Sequence, residues 1–558
     1  VAETKLGRYQ KRFEKLKSEA NEHEPLLETL RDYFWPRNGR FLGEKKSDSG
    51  NKHTRVINNA AIMARRTLMS GMQSGVTNES RPWFMMQTAD LDMMEHPAVA
   101  QWLETVQKLM YQILARSNLY NTFFQIYGNL GVYGTASADV LYDYEDVVRG
   151  YPAAVGSYYL AANERDVVDT RYRRINMTVE TVVKKFGYKN CSKAVQRLWD
   201  NSNYDEEVKV IHVIEPRHDR DPDKPDSKNM AFASCYFEEG CDTDGMFLRE
   251  SGYDEFPGVA PRWEVNDGRV YGDSPAMDAL GDNKQLQIQE RRKGQGIDKG
   301  LSPPMVGTGQ LQAGTRTNLL PGKTTWMSSA GAGSPLIPAY QIDPTFVRFL
   351  SEDSKEVVQR INDAFYVDLF MMLSQSDRRE ITAREIEERH EEKLLMLGPV
   401  LNRLRDELYD PVIRRVFNIA LREEALPPPP PELDGMELNV QYISILHQAQ
   451  QAVGLVGIDR LTGYVGNLAA VNPDILDKVD FDEAVEEYHR MTGAPKAILR
   501  APEKVEAMRQ QRAQQEQQMQ QAAMAQQAAE GAKTLSEART EDPSALRTLL
   551  DTMGGGGA

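Results

Sequence analysis

Two helix-forming stretches enclose a segment that cannot be helical, and this arrangement constrains the fold more than any other feature. Between Leu301 and Ile342 the chain holds six glycines and five prolines, the two poorest helix formers. The segment is still too rich in Thr, Val and Leu for a plain linker, so a small β-rich module is expected. Upstream, residues 274–299 read as a helix with Pro275 in its first turn, weakened near its end by Gly294 and Gly296. Downstream, Asp343 and Pro344 form an N-cap and N1 pair. The helix they open should run to Phe370, roughly 40 Å at 1.5 Å per residue. Val347, Leu350, Val357 and Ile361 share one stripe of it; Glu352, Glu356, Gln359 and Asp363 share another. A charged break, Ser374–Glu380, follows and carries adjacent Arg378 and Arg379. Thr382 and Glu385 have capping-box spacing and restart a helix toward Glu424, with a kink expected at Gly398-Pro399.

The rest of the chain reads in blocks. Lys5–Phe34 has an apolar stripe (Leu6, Tyr9, Phe13, Leu16, Ala20) at helical spacing. Further helices are expected over 55–71, 97–116 and 118–135. From Ala136 to Val270, short Val-, Tyr- and Thr-rich runs alternate with turn clusters, the texture of strands and hairpins, with one helix near Val179–Phe186. Five consecutive prolines, Pro427–Pro431, make a stiff spacer and a boundary. Residues 440–499 suggest a small helical bundle. The stretch 501–530, with ten glutamines, suits either one long helix or a disordered tail.

Composition narrows the function. The 558 residues suffice for about three or four domain-sized units. With 67 basic and 82 acidic residues the formal charge is −15, so the chain is no general polyanion binder and any hold on nucleic acid must be local or weak. Three cysteines give neither a disulfide framework nor a zinc pattern and suit a reducing compartment. No apolar run approaches the roughly 18 residues of a membrane helix, and the charged N-terminal stretch argues against a secretory leader.

Fragments that look catalytic fail on spacing. In "PGKTT", Pro321–Thr325, a phosphate-cradling loop would need glycine at position 317, which is Thr317. His390-Glu391 would need a second histidine at position 394, which is Leu394. Asp219, Asp221, Asp223 and Asp226 space like a calcium loop, but Lys224 stands where the sharp-turn glycine belongs. No catalytic residue, metal ligand or cofactor is expected, and the chain reads as non-enzymatic.

Three stretches carry a resemblance: "GYDEFPGVAPRWEVNDGRVYGDSPAMDALGD" (252–282), "NLGVYGTAS" (129–137) and "YYLAANERDVVDTRYRRINMTVETVVKKFG" (158–187). Together they resemble the head-to-tail connecting, or portal, proteins of short-tailed bacteriophages, over about residues 5–500. The resemblance implies an α+β, multidomain protomer: a wing (1–273), a first stem helix (274–299), a clip (300–343) and a second stem helix (344–370). A tunnel loop (371–381), a long wing helix with its proline linker (382–431), a crown (432–500) and a barrel helix or flexible tail (501–558) would follow. It implies a ring, typically of twelve copies, at one capsid vertex, assembled in the bacterial cytoplasm. Double-stranded DNA would pass through the ring; terminase, tail adaptor or nozzle, capsid and scaffolding proteins would be partners, and a membrane would not. On this mapping Arg378 and Arg379 would meet DNA at the tunnel loop, with Glu352, Glu356 and Asp363 on the channel wall. Val347, Leu350, Val357 and Ile361 would pack against the other stem helix and adjacent subunits. The alternatives are another virion structural protein, a scaffold or tail component, and more remotely an enzyme of the packaging motor.

Overall fold

The computed structural model describes residues 4–36, 55–88, 96–308 (without 222, 225, 242–245 and 267), 320, 323–327, 337–338, 343–376, 396–433, 438–443, 461–469, 475, 478–485 and 502–537. Val1–Arg460 form one compact unit and Leu461–Ala558 another.

The first unit opens with α1 (Lys5–Asn21) and α2 (Glu24–Phe34), then α3 (Ala60–Gly75), β1 (Phe84–Thr88), α4 (Pro97–Arg116) and α5 (Leu119–Tyr133). The single helix expected over Lys5–Phe34 is thus two, because Pro25 has no N–H to give the carbonyl of Asn21. A sheet-rich region follows: β2 (Ala138–Asp143), β3 (Val147–Pro152), β4 (Tyr158–Ala162), β5 (Val168–Thr178), α6 (Val179–Phe186), α7 (Lys193–Asp200), β6 (Glu207–Pro216), β7 (Phe232–Glu238), β8 (Arg249–Tyr253) and β9 (Gly258–Val259). Strands β4 to β8 form one antiparallel five-stranded meander in chain order, and β3-β2-β9 form a second sheet. The apolar stripe of α1 (Leu6, Tyr9, Phe13, Leu16) packs with Tyr172 and Ile211 of the meander. Helices α6 and α7 bury Val182, Phe186 and Val195 with Val210 in a separate cluster.

Next come α8 (Pro275–Asp278), α9 (Leu280–Leu301), β10 (Met305–Thr308), β11 (Thr324–Met327), β12 (Ile337–Pro338), α10 (Pro344–Ala364) and α11 (Val367–Ser376). The segment between the helices does form a small sheet, with β10 parallel to β11 and antiparallel to β12. Two boundaries differ from expectation. The first stem pattern divides at Ala279, and its second part runs on to Leu301 through Gly294, Gly296 and Gly300. The second turns at Phe365–Tyr366, where Tyr366 takes a φ of 54°, then stays helical to Ser376.

Residues 396–404 are helical, Arg405–Tyr409 form a π turn, and α12 (Asp410–Arg422) follows. The irregularity expected at Gly398-Pro399 therefore lies later in the chain. Pro411 cannot donate to the carbonyl of Glu407, and the backbone widens into the π turn just before it. Part of the expected helical bundle is instead a strand, β13 (Leu438–Tyr442), antiparallel to β1 with Phe84 opposite Tyr442. In the second unit, residues 461–469 are helical, and α13 (Pro502–Glu537) resolves the glutamine-rich stretch as helix.

The main core gathers α3, α4, α5, α10, α11 and α12 around Trp83, Phe123, Tyr127 and Tyr409. Two glycines allow close approaches. A Cβ at Gly71 of α3 would lie 2.2 Å from the Phe370 ring of α11. Gly134, which ends α5 at a φ of 73°, would place a Cβ 2.0 Å from the carbonyl oxygen of Gly272.

Candidate functional site

Helices α9 and α10, on either side of the small sheet, lie against each other and are bridged by polar side chains. The Gln289 amide donates to the Asp353 carboxylate, the Ser354 hydroxyl donates to Gln289 Oε1 at 3.2 Å, and Arg360 pairs with Asp282 at 2.9 Å. A Cβ built at Gly296 would be 3.9 Å from Val347. Polar bridging of this kind sets the register of the hairpin, while the apolar stripe of α10 supplies burial.

That stripe divides along its length. Val357 and Ile361 have no exposed surface and belong to the main core with Phe34, Leu286 of α9 and Phe365, so their burial is complete within the protomer. Val347 and Leu350, nearer the sheet, are half-buried. The exposed apolar side chains of α10 are Phe346 and Phe349, at 57% and 62%. Sequence reading passed over both because they fall beside the Val347/Leu350 stripe. Their one signal was two aromatics three apart on an otherwise charged helix.

Glu352, Glu356 and Asp363 are all exposed, but they do not form a purely acidic wall. Arg348 pairs with Glu352 at 3.2 Å, and the Gln359 amide donates to Asp363 at 3.4 Å and to Asp368 at 3.2 Å. Helix α10 carries four acidic residues (Glu352, Asp353, Glu356, Asp363) and three basic ones (Arg348, Lys355, Arg360). Helix α9 carries three acidic (Asp282, Glu290, Asp298) and five basic (Lys284, Arg291, Arg292, Lys293, Lys299). The hairpin is close to neutral, with both signs of charge interspersed on each helix. Exposure of this kind suits a channel wall and suits a subunit contact equally.

Arg378 and Arg379 lie outside the described residues, as does His390. The helices leading toward them are firmly held. Helix α11 sits in the notch at Gly71. On the far side, Arg262 bonds Glu407 of the π turn at 2.7 Å, and Arg415 of α12 bonds Glu255 at 2.8 Å.

The fragments with a catalytic look are structural where they are described. Thr324 and Thr325 open the strand β11, whereas a phosphate loop leads into a helix. Asp221 pairs with Lys224 at 2.8 Å, and Asp226 accepts from the Asn229 amide at 2.7 Å. Among the described residues no group of three or more His, Cys, Asp or Glu side chains could hold a metal ion, and no helix is long and apolar enough to cross a membrane.

Comparison with known proteins places this architecture. The chain is 43% identical over 555 residues to the portal protein of Salmonella phage epsilon15, covering 99% of each. It is 39% identical over 543 residues to the probable portal protein of Bordetella phage BPP-1, covering 97% of this chain and 96% of that one. A solved chain from the neck of an empty GTA particle aligns at 12% identity with a TM-score of 0.36, covering 77% of this chain and 92% of its own, too slight a likeness to bear on the fold. The family model for the bacteriophage head to tail connecting protein matches residues 6–499, and the chain belongs to that family.

Proposed function

We propose that the chain is the subunit of a portal: copies of it close into a ring at one capsid vertex, and double-stranded DNA passes through the ring during packaging and ejection. The observation that carries this reading is identity of 43% to a portal protein across 99% of both chains. The role is structural and needs no covalent chemistry. The chain's charge of −15 suits a conduit, because every Lys or Arg on a phosphate tightens binding while carboxylates let a duplex slide.

Within this reading residues 1–273 are the wing and α9 and α10 the stem. The clip is 300–343, where tail adaptor and terminase dock, and the segment 371–381, which begins as the end of α11, approaches the DNA. Arg378 and Arg379, repeated around a ring of twelve, make transient contact with the phosphates. Electron microscopy of the purified protein tests the assembly, since a scaffold or tail fibre gives no ring with a central hole. Measuring ATP turnover and DNA cleavage on the same sample tests the non-enzymatic role. The double variant Arg378→Ala, Arg379→Ala should assemble normally yet package DNA poorly or leak it. Packaging and retention at wild-type efficiency would remove the two arginines from the channel.

A further inference from the structure

We infer that the five-stranded meander carries a phosphate-binding site, formed by the row Arg173, His212, Tyr236 and Arg249 together with Lys185 of α6. The register sets the four side by side across β5 to β8: Arg173 opposite His212, His212 opposite Tyr236, and Tyr236 opposite Arg249. Directly opposed residues of antiparallel strands share a face of the sheet. The other face, with Tyr172, Ile211 and Cys235, is closed by α1. The row spans about 14 Å, three strand spacings. Helix α6 lies against it: Phe186 meets the Tyr236 ring at 5.1 Å, and Lys185 Nζ stands 5.3 Å from the centre of that ring. The site belongs to the meander alone and does not depend on a ring of subunits.

Positive charge on this face exceeds its partners. Asp139 bonds the buried Arg171 and lies 3.5 Å from Arg173. Glu238, two residues along β7 from Tyr236, accepts from the backbone N–H and the hydroxyl of Ser192 and answers none of the cations. Lys185 and Arg249 are exposed and have no ion pair among the described residues, and Arg173 Nε is buried without an acceptor. The crowding registers on its neighbours. Burial, with Arg249 and Arg173 nearby, lowers the Lys185 pKa; burial, with Arg171, Arg173, Lys185 and Arg249 around it, lowers that of His212. Four cations thus share one carboxylate. A phosphate group answers such an excess better than a second carboxylate, because it brings up to about two negative charges and three oxygens that several donors can reach at once. The Tyr236 ring is already engaged by His212, stacked at 3.9 Å, and by Lys185, so a nucleobase gains no stacking surface and recognition stops at the phosphate. The chain's net charge of −15 confines any attraction for a polyanion to a local patch such as this one.

Calorimetric titration of the full chain at low ionic strength tests the site, with inorganic phosphate in one arm and a short DNA duplex in the other. K185Q/R249Q removes two exposed cations, so the unfolding midpoint should stay unchanged while phosphate binds at least about tenfold more weakly. K185Q alone gives the same reading if the double variant loses stability. K184Q, whose lysine pairs with Glu180 at the surface, should bind like the wild type. Where a DNA backbone is the source of the phosphate, the duplex should also bind K185Q/R249Q more weakly, and the slope of log affinity against log salt should fall by about 2. Phosphate binding beside a duplex indifferent to the two substitutions assigns the site to free phosphate or a small phosphorylated ligand. Phosphate that binds no better than chloride at equal ionic strength, or equally well to K185Q/R249Q, would overturn the site. An acidic peptide that binds where phosphate does not would overturn the phosphate assignment in favour of a protein carboxylate.

Discussion

Arg262 and Glu407 join the loop after β9 to the π turn of the long helix: the guanidinium meets the carboxylate at 2.7 Å, and the backbone N–H of Arg262 donates to the same carboxylate at 2.9 Å. Arg262 is 1% exposed and also bonds Asp166 at 3.0 Å, a residue held at a φ of 58° in the β4–β5 turn. One buried cation therefore fastens three segments distant in sequence. Glu407→Gln should cost about 1–3 kcal/mol, because it leaves a buried charge with half its partners. Pairing it with Arg262→Met should cost less than the sum of the two single changes, since the stranded charge is then gone. Urea denaturation of the four proteins measures the cycle.

Gly134 supports the same region from the other side. Its φ of 73° and the 2.0 Å approach of the Gly272 carbonyl to any Cβ make Gly134→Ala a backbone change. The left-handed conformation alone costs a non-glycine residue about 1–2 kcal/mol, and here the β9–α8 loop must also move. Thermal unfolding should show a loss above that range, with the bridge between Thr135 and Arg262 the first to lose amide protection.

His212 gives the wing a dependence on pH. It is buried, stacks on Tyr236 at 3.9 Å and shares a hydrogen bond with Ser234 at 3.0 Å. Burial, with Arg171 and Arg173 nearby, holds its pKa well below the usual 6.5. The unfolded chain then binds a proton that the native state refuses. Stability from this group is complete above the unfolded pKa and falls as pH drops below it, by up to about 1.4 kcal/mol per pH unit. His212→Gln should lower stability at neutral pH but flatten the slope between pH of about 7.5 and 5.5. An unchanged slope would assign the acid sensitivity to other groups.

What the sequence made legible was local. Helix α4 ends where read, with Pro97 in its first turn and Arg116 in its last. Helix α6 does too, because Thr178 caps it by accepting from the Thr181 N–H at 3.3 Å. The small sheet between α9 and α10 followed from glycine and proline placement, which excluded helix, together with the Thr, Val and Leu of the segment. Strand β13 was not legible, because it is a strand by virtue of pairing with β1, far away in the chain, and neither segment announces the other. The stem stripe was read correctly as a stripe, but periodicity cannot say whether a covered face is covered by its own chain or by another copy. Only the position of Phe34 and Leu286 decides that for Val357 and Ile361.

That distinction separates folding from assembly on a single helix. Val357 is wholly covered within the protomer, so Val357→Asp buries an unpaired carboxylate and should destabilise the monomer itself by about 3–5 kcal/mol, with or without a ring. Phe346 and Phe349, at 57% and 62% exposed, contribute almost nothing to the protomer's core. Two such aromatics in water are an expense that a partner surface removes. Phe346→Ser with Phe349→Ser should leave the unfolding midpoint of the monomer within about 0.5 kcal/mol of wild type, raise its solubility, and shift the assembly equilibrium toward monomers in sedimentation velocity. If the phenylalanine variant unfolds early while Val357→Asp folds normally and only fails to assemble, the division between inner and outer faces of α10 is the reverse of the one drawn from burial.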